Sequence, residues 1–69
     1  MIHRIRVDFT ADGESIMTDF DVISLSLRAP LHFVDFDMDA NGSGHLHVET
    51  LDEVDALFIL FSFENAVPA

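Results

Sequence analysis

Cysteine is absent from this sequence. That excludes a disulfide framework and any thiolate metal site, and it suits a reducing compartment. Lysine is absent too. The only cations are Arg4, Arg6 and Arg28, against thirteen aspartates and glutamates, for a formal charge of −10. A field of that sign disfavours direct contact with nucleic acid or anionic membrane and favours basic partners. Long apolar runs are missing as well. The most apolar stretch, ALFILFSF at 56–63, falls far short of the roughly 20 residues of a membrane span. The opening MIHRIRVDFT lacks the apolar run of a signal peptide. These absences set the expectation of a cytoplasmic chain with no membrane partner.

What is present argues for folding. Hydrophobic residues make up 49% of the chain and include seven phenylalanines, so enough apolar surface can be buried despite the charge. Residues 1–69 are expected to form one domain. A chain of this size buries only about 60% of its unfolded surface, so stability is marginal.

In IHRIRVDFT (2–10), His3, Ile5, Val7 and Phe9 alternate with Arg4, Arg6 and Asp8, the period of a half-buried strand. ADGE (11–14) interrupts it with turn residues. Over 14–30, Ile16, Phe20, Ile23 and Leu27 recur on one helical face. Asp12 or Ser15 can cap that helix and Pro30 ends it. VISLSL (22–27) also alternates as a strand would, but the helix accounts for the longer window. LHFVDFDMD (31–39) reads as a strand with His32, Val34, Phe36 and Met38 inward. Leu31, Phe33, Asp35, Asp37 and Asp39 then lie on its other face. ANGSG is a hairpin signal, and HLHVET (45–50) is the return strand. A three-residue loop, Asn41–Ser43, sets Met38 against Leu46 and Phe36 against Val48, apolar on apolar. On the opposite face it sets Asp39 against His45, Asp37 against His47 and Asp35 against Glu49. Thr50 and Glu53 form a capping box for a second helix, with Leu51, Val54, Leu57, Phe58 and Phe61 as its inward stripe and Ile59, Leu60 and Phe63 off it. A strand over 57–63 is the alternative. The expected architecture is α+β in the order β-α-β-β-α: a three-stranded, mainly antiparallel sheet with helices on one face and acids on the other.

The acids are the candidate binding surface. Alternate strand residues lie roughly 6.6 Å apart, and each DNA strand carries a phosphate per about 3.4 Å of axis. Asp35, Asp37 and Asp39 can therefore imitate a short run of phosphates. Glu49 joins them on the hairpin; Asp12, Glu14, Asp19 and Asp21 extend the field around the first helix, and Asp52, Glu53 and Asp55 around the second. The plain reading is a solvated sheet face. Against it stands the missing lysine, since a merely soluble face mixes both signs. Adaptation to a salt-saturated, haloarchaeal cytoplasm is another explanation of the imbalance, giving a generic acidic interaction module with no nucleic-acid connection.

His45 and His47 project beside the hairpin carboxylates. A His-x-His pair with a carboxylate can hold zinc, but cross-strand ion pairs are the expected role, so no metal site is assigned. His3 and His32 fall on the inner faces. Ser15, Ser24, Ser26, Ser43 and Ser62 have no evident His/Asp neighbourhood, and the glycines of 42–44 make a turn rather than a phosphate loop. No enzyme, catalytic residue or cofactor is expected. The apolar surplus at 57–63 allows a homodimer.

In size, acidity, single-domain economy and lack of chemistry, the chain resembles the small acidic inhibitors made by phages, among them the anti-CRISPR proteins and other DNA mimics. The resemblance is one of class and rests on no diagnostic motif. It implies a protein in the host cytoplasm that occupies the basic DNA- or PAM-binding surface of a CRISPR effector complex. Carboxylates would meet the lysines and arginines that otherwise meet phosphates.

Overall fold

The alternation in the first ten residues does make a strand. In a computed structural model that describes residues 1–69, β1 spans His3–Phe9 and buries Ile5, Val7 and Phe9 while turning Arg4, Arg6 and Asp8 outward. Helix α1 (Gly13–Ser24) follows with the expected face: Phe20 is fully buried, and Ile16, Met17, Ile23 and Leu27 pack against the core. Asp12 occupies the N-cap position without capping, because its carboxylate accepts from the Thr10 amide instead. The helix stops well before Pro30, with Leu25 and Ser26 closing its last turn on Val22 and Ile23.

β2 (His32–Met38) and β3 (Gly44–Thr50) form the hairpin, but in a register two residues from the expected one. Phe36 faces Leu46, Asp37 faces His45 and Asp35 faces His47. The cause is a longer loop. Asp39 accepts hydrogen bonds from the Asn41 and Ser43 amides through one carboxylate oxygen, at 2.8 and 3.0 Å. That turn occupies 39–43 and leaves Gly44 opposite Met38. Gly44 is obligatory there, since a Cβ would sit 1.8 Å from the Asp37 carbonyl oxygen. A second deviation is a bulge between Phe33 and Asp35. The extra residue reverses the alternation, so Phe33 faces Val48 and touches Phe20 edge-on at 6.1 Å. His32, expected inward, is exposed opposite Glu49.

Helix α2 (Glu53–Ser62) is capped by Asp52, whose side chain accepts from the Asp55 amide at 2.9 Å. Thr50, the expected cap, is instead the buried last residue of β3 and accepts from the Asp52 amide. The face of α2 is the reverse of the expected one. Ala56, Ile59 and Phe63 are buried, while Leu51, Val54, Leu57, Phe58 and Phe61 are exposed. The sequence offers two apolar stripes, and tertiary contacts select between them. Small Ala56 lets the helix approach the sheet closely, and Phe63 stacks flat on Phe20 with centroids 4.4 Å apart. Asp55, also turned inward, binds the Arg28 and Ala29 amides.

A fourth strand, β4 (Ala66–Pro68), was not expected. It pairs antiparallel with the outer edge of β1, where Pro68, lacking an amide hydrogen, is tolerated. The sheet is therefore four-stranded and antiparallel, in the order β2-β3-β1-β4. Two split β-α-β units interleave, the ferredoxin-like plan. Both helices contribute to the core beneath one face, while the other face is open.

Candidate functional site

The open face of the sheet is a grid of polar side chains. Register places Arg4, Glu49 and His32 in one row, Arg6, His47 and Asp35 in the next, and Asp8, His45 and Asp37 in the third. Within it Arg4 pairs with Glu49 at 2.7 Å and Arg6 with Asp8 at 2.8 Å. His45 Nε2 lies 3.0 Å from Asp35 Oδ2, and His47 Nδ1 lies 3.9 Å from the same oxygen. The hydrogen bond to His45 holds the Asp35 carboxyl below the ordinary aspartate range. Both rings thus turn towards one carboxylate, whereas the expected register gave each its own partner, Asp39 and Asp37.

Several acids expected to form one binding surface also make hydrogen bonds within the fold. Asp39 accepts from the Asn41 and Ser43 amides through one oxygen, Asp12 accepts from the Thr10 amide, and Asp52 caps α2. Asp55 is only 3% exposed. Its two oxygens accept from the Arg28 and Ala29 amides at 3.0 and 2.9 Å, clasping the α1–β2 connection to α2. Asp8, Asp35 and Glu49 lie in ion pairs. Of the run Asp35–Asp37–Asp39, all three residues are exposed, and Asp37 alone has no side-chain partner.

The remaining unpaired carboxylates sit mainly elsewhere. Glu14, Asp19 and Asp21 are exposed on α1, and Glu53 and Glu64 lie at the two ends of α2. Between these ends runs the stripe of Val54, Leu57, Phe58 and Phe61, at the spacing of one helical face, with Phe61 87% exposed. Sequence reasoning missed this surface because it assigned the same residues to the core. The signal that could have found it is the competing set Ala56, Ile59, Leu60 and Phe63, which has the same spacing and a small residue where a close approach needs one.

No helix is long and apolar enough to cross a membrane. Comparison with protein-family models, curated proteins and solved structures finds no match to the chain.

Proposed function

We propose that the protein is a non-catalytic binding module that docks on a basic protein surface, in the manner of the phage inhibitors it resembles. The observation that carries this reading is the apolar stripe of α2, exposed and bounded by acids. An apolar centre inside a polar rim is the anatomy of a protein interface. The matching partner presents an apolar patch ringed by lysine and arginine, the residues a nucleic-acid-binding protein already displays. The unpaired acids of α1 add the long-range attraction that steers such encounters. A CRISPR effector complex with its DNA channel open is the partner the class resemblance names, and occlusion of target DNA is the corresponding mechanism. Relative to the sequence-based expectation, the contact moves from the hairpin acids to α2 and α1.

The test is a binding titration against a CRISPR effector complex at several salt concentrations. Phe58→Ser with Phe61→Ser should weaken binding more than tenfold, about 1.4 kcal/mol, and leave the salt slope unchanged. Glu14→Gln, Asp19→Asn and Asp21→Asn together should flatten the slope instead. Absence of binding, or binding indifferent to both sets, refutes the proposal. A chain that folds only in molar salt, read by circular dichroism, would replace it with the salt-adapted reading.

A further inference from the structure

The convergence of two imidazoles on one carboxylate is more than a cross-strand ion pair requires. An ion pair needs one ring. Here the second ring nitrogen, His47 Nδ1, stands at 3.9 Å from Asp35 Oδ2, too far to hydrogen-bond, yet it faces the same oxygen as His45 Nε2. The three candidate ligand atoms lie within 4.8 Å of one another. Tetrahedral ligands at the zinc–nitrogen distance of 2.0–2.1 Å are about 3.3 Å apart, so no pair in this trio needs to close by more than about 1.5 Å to reach that spacing.

We propose that Asp35 Oδ2, His45 Nε2 and His47 Nδ1 form a binding site for a divalent transition-metal ion of the zinc class, with the outward coordination position open. The donor set selects the metal. Two imidazole nitrogens and one carboxylate oxygen suit zinc, whereas calcium and magnesium take oxygen shells. The scaffold suits it too. β3 is hydrogen-bonded on both sides, by β1 and β2, which fixes the backbones of both histidines. Asp35 follows the bulge on an edge strand, where a side chain can be re-aimed. Local charge agrees. Asp8 and Asp37 flank His45 in register, and the one cation in the row of His47, Arg6, is turned onto Asp8. The open position would take water or a donor atom from a molecule approaching the sheet.

This inference is independent of the docking surface, because the trio lies on the open face of the sheet and the α2 stripe belongs to the helical side. Titration calorimetry of the full chain with zinc chloride should show one saturable site, with a dissociation constant on the order of micromolar. Magnesium chloride should give none. Cobalt(II) should develop the visible absorption of a tetrahedral complex. Asp35→Asn, His45→Gln and His47→Gln should each weaken zinc binding at least tenfold, while His32→Gln, outside the trio on the same strand pair, should leave it unchanged. Should a histidine variant fail to fold by circular dichroism, Asp35→Asn decides, since that side chain is largely solvent-facing. No saturable zinc binding at millimolar metal, equal binding of magnesium, or zinc binding unaffected by Asp35→Asn would each overturn the assignment.

Discussion

Replacing Asp55 tests whether an acid that looks like surface is part of the scaffold. Its oxygens accept from the Arg28 and Ala29 amides at 3.0 and 2.9 Å, and the residue is 3% exposed. Hydrogen bonds to a charged group contribute about 1.5–3 kcal/mol each. The bonded amides lie in a connection that is only partly buried, so the lower figure applies, and Asp55→Ala should cost about 3 kcal/mol. Marginal stability of roughly 0.05–0.15 kcal/mol per residue gives a chain of this length about 3–10 kcal/mol in all. The loss is therefore a large share. Asp55→Asn keeps one acceptor and the shape, and should lose about half as much. Urea unfolding followed by circular dichroism reads this directly: with a slope near 1 kcal/mol/M, the alanine variant's midpoint should drop by about 3 M. Glu53→Ala, two residues away and exposed, is the control and should shift the midpoint by less than about 0.5 M. Equal midpoints for the two alanine variants would refute the clasp.

Three further outcomes follow from local geometry. Gly44→Ala forces a Cβ to within 1.8 Å of the Asp37 carbonyl and should destabilise the hairpin by about 2 kcal/mol or more, seen as a lowered melting temperature. Ala11 holds φ at 62°, a left-handed conformation costly for a residue with a Cβ, so Ala11→Gly should raise stability by about 0.5–1 kcal/mol in the same assay. Because the Asp35 pKa is lowered by His45, this group's contribution is full above the unfolded value of about 3.9 and fades as pH falls through its lower folded value. The stability gap between the protein and Asp35→Asn should thus close in the acid limb, as read from urea midpoints across pH.

Features set by local chemistry were legible in the sequence. The alternation of β1 and the existence of the hairpin each follow from a single pattern, and the Phe20 face of α1 follows from the longer of two competing ones. Features set by competition were not. α2 carries two apolar stripes of equal spacing, and only the stacking of Phe63 on Phe20 and the inward tie of Asp55 select one. The hairpin register depended on whether Asp39 was a strand residue or a turn residue, and its side chain's bonds to Asn41 and Ser43 decide that. The bulge at Val34 leaves no mark in the alternation, which simply continues through it. β4 pairs through three residues that include a proline, too short and too weakly patterned to stand out. The candidate site suffered from the same causes. Reversing α2 exposed one surface, and shifting the hairpin by two residues gathered Asp35, His45 and His47.

The strand order also governs how this chain emerges from a ribosome. β1 is made first, yet it lies in the interior of the sheet, and its pairing partners are β3 and β4. Phe9 must wait for Gly44, and Arg6 for Val67. Until β3 is made, Ile5, Val7 and Phe9 have no sheet to join. Contacts that distant in sequence slow folding and leave an apolar strand available to other nascent chains. Arg4, Arg6 and Asp8 alternate with those residues, and charges so placed keep an unpaired strand from associating with its neighbours. On this view the arginines of β1 act before the fold exists, guarding the segment that has longest to wait.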